Sequence, residues 1–291
     1  MTVNLSWMRR DAPYMPITTI GLLSVESQAR ALWRDGSLTI ETQLDAAEMA
    51  ELLLQAELPD LDAIGWPAGA GQSLATALSG YDDPLVGFAG LCSSVQGSVE
   101  ERLLRTLATD QTRRSDGGPP ARSRLLVGAK ADLSPFRWRT RGDPKALADE
   151  LALGPAFAGG DSGPSMGLVP EVHTFGGSVG REASTIGAAS QLLSLLIRHG
   201  LLALPPNGSP GRGPRPAGGP LLDTSFSLSW PVWTCALNAV ELRAMLVWTE
   251  IHAPEPDQEL LRARGVEAVY RSTPVRLSDT VSVFRWGRRV V

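Results

Sequence analysis

Three Gly/Pro-rich segments set the limits on what this chain can fold into. They are residues 113–124 (RRSDGGPPARSR), 154–167 (GPAFAGGDSGPSMG) and 205–220 (PPNGSPGRGPRPAGGP). Proline removes a backbone donor and glycine is entropically poor in helix or strand, so each segment reads as loop. The third is almost pure Gly, Pro and Arg and reads as a flexible linker or loop. The chain accordingly divides into an N-terminal α+β region (1–112), a basic and glycine-rich middle region (113–204) that includes the first two segments, and a C-terminal α+β region (221–291). None is clearly autonomous, and no internal repeat is present. The elements show no regular βαβ rhythm. The expected class is α+β, with a mixed sheet, packed helices and long Gly/Pro-rich loops.

Several elements can be placed. Ser37–Leu44 alternates apolar and polar residues, as a half-buried strand does. Asp45 then caps a helix, with Glu48 three residues on, a capping-box pair. That helix should bury Met49, Leu52, Leu53 and Ala56, with Pro59 ending it. Upstream, 17–32 reads as helix, packing Ile20, Leu23 and Leu32. Asp143-Pro144 starts another helix, through about Leu151. A strand is expected over 168–175, then a helix from about Arg181 to His199 with Gly200 as its C-terminal cap. Strands are expected at 226–233, 266–270 and 281–286, the last two as a hairpin or neighbours. Asn238 and Glu241 form a second capping-box pair, opening a helix through Trp248.

Charge is unevenly spread. The net charge is −4, which excludes a uniformly basic nucleic-acid-binding protein. Of the 27 basic residues only Lys130 and Lys145 are Lys. Residues 41–62 carry seven acidic and no basic side chains; this reads as the solvated face of a helix. Residues 102–145 carry a local +7 and residues 262–291 a local +5. Aromatics interleave there: Phe136-Arg137-Trp138-Arg139-Thr140-Arg141 and Phe284-Arg285-Trp286-Gly287-Arg288-Arg289. In a strand, Arg137, Arg139 and Arg141 would share one face roughly 7 Å apart, comparable to phosphate spacing. Guanidinium groups pair with phosphates, and nearby indoles can stack on bases. The candidate nucleic-acid contacts are therefore Lys130, Arg137, Arg139, Arg141, Arg285, Arg288 and Arg289. The competing reading is an Arg-rich solvent face in a GC-rich genome.

Catalytic patterns are weak. Gly176-Gly177-Ser178-Val179-Gly180 matches the G-x-S-x-G nucleophile elbow, and Asp223 and His252 follow in hydrolase order. Gly163-Pro164-Ser165-Met166-Gly167 matches the same pattern inside a loop, and no HGGG-type oxyanion segment is present. Neither a Walker lysine nor a strand–helix G-x-G-x-x-G is found. His173, His199 and His252 lack metal-ligand spacing and read as structural. Cys92 and Cys235 read as buried thiols in a reducing compartment. No catalytic residue, metal or cofactor is expected. The turn at Gly176, Gly177 and Ser178, with Arg181 in the following helix, can instead cradle a phosphate. The longest apolar stretch, 192–204, contains Arg198 and His199 and is too short to span a bilayer. A cytoplasmic protein without membrane contact is expected.

These residues carry a family resemblance. Gly21-Leu22-Leu23, Ala29–Leu38 and the helix over 44–54 resemble the opening of large subunits from type I-U (also called I-G) CRISPR effector complexes. Those proteins open with a "G-V-L-R-L" helix, an "A-R-x-x-W-x-G" turn and a strand. Gly65–Gly71 is similar to their "P-W-N-G-G-S-G" turn, and Phe175–Arg181 to their "G-x-G-G-N-D-G-R" segment, with Ser178 and Val179 in place of Asn and Asp. Ser229–Ala244 resembles "W-x-P-x-W-x-x-P-x-x-L-x-E-L-R-A-L", and Arg264–Arg271 resembles "R-G-I-x-A-F-x-R". The family's proteins are more than twice as long. The resemblance implies a non-catalytic subunit of an RNA-guided surveillance complex in antiviral defence (Cascade). Its partners would be guide RNA, target double-stranded DNA and the other protein subunits. Its roles would be recognition of the target-adjacent motif and duplex opening. The alternatives are a protein–protein adaptor without nucleic-acid contact and a serine hydrolase at Ser178.

Overall fold

The computed structural model describes residues 1–56, 143–155, 163–164, 169, 188–204, 227–276 and 282–291. The chain opens with strand β1 (Thr2–Leu5), helix α1 (Met15–Val25), strands β2 (Arg30–Arg34) and β3 (Ser37–Glu41) and helix α2 (Ala46–Gln55). Helix α3 (Pro144–Leu153), short strands β4 (Gly163–Pro164) and β5 (Ala188–Ala189) and helix α4 (Gln191–Ala203) follow. The C-terminal part holds β6 (Leu228–Trp233), α5 (Ala239–Leu246), α6 (Thr249–His252) and α7 (Gln258–Ala263). It closes with β7 (Val266–Ser272), β8 (Pro274–Arg276), β9 (Ser282–Phe284) and β10 (Arg288–Arg289). The class is α+β. Every strand pairing among the described residues is antiparallel rather than mixed.

Both expected capping boxes form. Asp45 accepts from the N–H groups of Ala47 and Glu48, and Glu48 reaches back to the Asp45 N–H. Asn238 and Glu241 repeat the arrangement at α5. Each cap satisfies helix donors that would otherwise lack partners. Helix α5 stops at Leu246, two residues before the expected end. Asp143 caps α3, which runs two residues further than expected. In α2, Met49, Ala50 and Leu53 are buried while Leu52 is half-buried. Its Asp45, Glu48 and Glu51 side chains are exposed, so this part of the acidic stretch is a solvated helix face.

The helix expected over 17–32 is corrected. It ends at Val25, and Leu32 lies in β2, because Asp35 and Gly36 close a two-residue hairpin onto β3. Both turn residues have positive φ, 50° and 82°, the type I′ requirement. The helix expected over 181–199 is corrected too. It starts at Gln191 behind a Ser190 cap, with β5 before it, and continues through Gly200 to Ala203. Gly200 is not a cap but a contact point: a Cβ there would lie 1.9 Å from the Ile17 carbonyl oxygen. Reciprocally, a Cβ at Gly21 would lie 2.2 Å from the Leu196 carbonyl oxygen. The two glycines let α1 and α4 touch backbone to backbone.

Helix α1 is buried on all sides from Met15 to Leu23, Thr18 and Thr19 included. Its hydroxyls are satisfied within the helix: Thr18 donates to the Tyr14 and Met15 carbonyls, Thr19 to that of Met15. Around it lies one core cluster drawing on β1, β2, β3, α2, α3, α4, β6 and α5. Each fully buried Leu or Ile contributes about 1.5–3 kcal/mol.

Two three-stranded sheets flank this core, ordered β1-β3-β2 and β10-β7-β6. They are joined at Ala31, whose N–H donates to the Leu237 carbonyl while its own carbonyl accepts from Leu237 N–H and Trp233 Nε1. Pro231 is tolerated in β6 because that strand is an edge. The closing strands are not partners of each other: β7 pairs with β6 and β10, whereas β9 pairs with β8. Among the described residues no helix is long and apolar enough to cross a membrane.

Candidate nucleic-acid interface

The C-terminal basic segment is built around β10. Gly287 makes this possible. Its N–H donates to the Asp11 carbonyl at 2.6 Å, and a Cβ on it would meet the Trp230 ring at 2.5 Å. Only glycine lets the chain cross the indole and enter the sheet edge. Just before it, Phe284 is buried and the Arg285 carbonyl accepts from the Ser272 hydroxyl. Strand β10 then pairs Arg288 with Arg271 and Arg289 with Tyr270.

The three predicted arginines of this segment are exposed. Arg289 folds back along the edge, its Nε donating to the Val291 carbonyl at 2.8 Å and its Nη2 to that of Glu267 at 3.4 Å. The Arg285 and Arg288 guanidinium groups have no acceptor among the described residues. Nearby arginines are compensated instead. Arg9 pairs with Asp11 at 2.8 Å and Arg10 with Glu267 at 2.6 Å. Arg30 and Arg34 approach Glu241 and Glu41 at 3.9 and 3.7 Å. Arg285 and Arg288 therefore leave exposed positive charge beside and on β10 that no described carboxylate neutralises, and such charge attracts polyanions.

The aromatic partners behave differently from expectation. Trp286 is half-buried against the core, and the Arg9 guanidinium lies 4.1 Å from its ring centroid. One ring face is therefore already taken by a cation–π contact, which leaves Trp286 a poor platform for a base. Trp230 is fully buried, stacked on Tyr270 with its Nε1 donating to the Arg10 carbonyl. Arg271 is the residue that sequence reasoning missed. The expected strand, 266–270, stops one residue short of it, and its position opposite Arg288 depends on the pairing register, which no local pattern encodes.

Lys130, Arg137, Arg139, Arg141, Gly176, Gly177, Ser178 and Arg181 lie outside the described residues, as do His173 and Cys92. His199 is buried. Burial pushes its imidazole down to about 4, the neighbouring Arg198 charge adds to this, and a hydrogen bond with the Leu53 backbone opposes it. It is therefore neutral near pH 7. The His252 ring shares a hydrogen bond with the Leu246 carbonyl. Cys235 is exposed rather than buried, because it sits in the turn after β6 and not on a core-facing strand. Among the described residues no group of three or more His, Cys, Asp or Glu side chains could hold a metal. A groove of about 410 Å³ lies between the end of α1 and α2, with Val25, Leu44 and Leu52 in its wall. It also carries Glu26, Glu48 and Glu51, so it repels polyanions. No family model matches the sequence, and no curated protein matches it.

Proposed function

We propose that the chain is a non-catalytic, nucleic-acid-binding subunit of an RNA-guided CRISPR surveillance complex in the cytoplasm. In this reading it contacts guide RNA and target duplex DNA, recognises the target-adjacent motif and helps open the duplex. One observation carries the nucleic-acid part: Arg285, Arg288 and Arg289 are exposed, the first two without an acceptor among the described residues. Arginines placed this way neutralise phosphates and release condensed counterions, which gives affinity without sequence selectivity. Membership of the complex is supported by the collinear sequence resemblance. The other contacts in this reading are Lys130, Arg137, Arg139, Arg141 and the turn at Gly176, Gly177, Ser178 and Arg181.

The test is duplex and guide-RNA binding by the wild type and by the triple variant Arg285→Gln/Arg288→Gln/Arg289→Gln, over about 50 to 200 mM salt. The wild type should bind weakly, with a steep salt dependence. The triple variant should flatten the logarithmic salt slope for duplex by about 2–3, near 0.9 per phosphate contact. An unchanged affinity and slope in the folded variant removes the β10 interface. Co-expression with the other effector subunits and a guide RNA tests the complex: failure to co-purify removes that assignment.

A further inference from the structure

We infer that Arg271 and Arg288 form a two-guanidinium clamp for a single backbone phosphodiester of bound nucleic acid. This rests on the nucleic-acid reading above and names the chemistry of one contact within it. The two residues are directly opposite each other in the β7–β10 ladder. Side chains so placed share a face, with Cβ atoms about 4.5–5.5 Å apart, and like charges there are destabilising. Neither side chain forms an ion pair with a carboxylate among the described residues.

Arg271 is anchored on the flank of β7 that faces β6. Its Nε donates to the Ser229 hydroxyl at 2.9 Å, its Nη2 to the Ala253 carbonyl at 2.6 Å and its Nη1 to the Pro254 carbonyl at 3.4 Å. A guanidinium has five N–H donors, so about two remain to Arg271. These acceptors are neutral and leave the positive charge in place. Arg288 is exposed on the edge strand with all its donors uncommitted among the described residues. One fixed and one free guanidinium on a single sheet face suit an anion with two acceptor oxygens. A phosphodiester offers two such oxygens and carries no base information, so this contact should be blind to sequence.

Arg271 anchors the 253–254 turn, so the variant to make is Arg288→Gln. Its salt slope for duplex DNA should fall by about one, with equal loss of affinity for unrelated sequences. Its thermal midpoint should rise, because a like-charge pair has been removed. Three results overturn the clamp: an unchanged slope, a loss confined to particular sequences, or a lowered midpoint. Inorganic phosphate separates the sources of the anion. Displacement of duplex from the wild type by low inorganic phosphate, but not by chloride at equal ionic strength, assigns the pair to a free anion and overturns the proposal. A normal slope in Arg288→Gln beside a flattened one in the triple variant sinks the clamp and leaves the interface standing. Normal slopes in both sink the interface itself.

Discussion

His199 is a neutral imidazole in the core, and that has a consequence in acid. An ordinary histidine takes a proton near 6.5, whereas burial holds this one down to about 4. Between those values the unfolded chain binds a proton that the folded chain refuses. Stability is therefore full above pH 6.5, falls as pH drops and levels off below about 4, a loss of roughly 3 kcal/mol at most. Carboxylates titrate in the lower part of this window, so the comparison is with His199→Gln, which cannot titrate. The wild-type urea midpoint should fall more steeply than that of the variant between pH 6.5 and 4. Parallel curves would show that His199 does not resist protonation. The sequence reading of His199 as structural came from its lack of ligand partners. The depth of its burial was not legible, because the α4 face covering it is set by packing against α1 and α2.

At the scale of elements, α1 and α4 depend on two glycines. Gly200→Ala would gain about 1 kcal/mol of helix propensity. It would also drive a methyl into the Ile17 carbonyl, and overpacking costs about 1–3 kcal/mol or more. Because the obstacle is backbone rather than a flexible side chain, the net should be a loss of about 2 kcal/mol, read from urea midpoints. A neutral or stabilising result would mean that the helices separate freely. The same glycine explains an error of sequence reading. Seen alone, Gly after Arg198-His199 looks like a helix end. Only the distant Ile17 backbone makes it an interior contact. The capping boxes at Asp45 and Asn238 were legible because all their atoms lie within four residues. The Asp35-Gly36 hairpin was equally local. The apolar spacing of Ile20, Leu23 and Leu32 masks it, although Asp-Gly between two apolar runs is a strong turn signal. Exposure of Arg285, Arg288 and Arg289 was legible from composition, and the strand partners of Arg288 and Arg289 were not.

At the scale of the molecule, the described N-terminal, middle and C-terminal segments share one core. The buried surface of α1 is covered largely by α4, and Ala31 of β2 is bonded to Leu237 and Trp233 beyond it. Residues 1–56 on their own would expose much of a helix that is buried on every side in the whole chain. As an isolated fragment they should show no cooperative thermal transition and should bind a dye specific for exposed apolar surface. A sigmoidal melt would establish an independent N-terminal domain instead.

The meeting of α1 with α4 also bears on how the protein is made. A ribosome adding about 5–20 residues per second needs about 10–40 s to extend the chain from Val25 to Ala203. Throughout that interval the segment destined for α1 lacks the helix that gives it most of its native cover. Nascent chains of this protein therefore carry a sticky apolar segment for most of their synthesis, and the yield of folded product depends on how well the cell shields it.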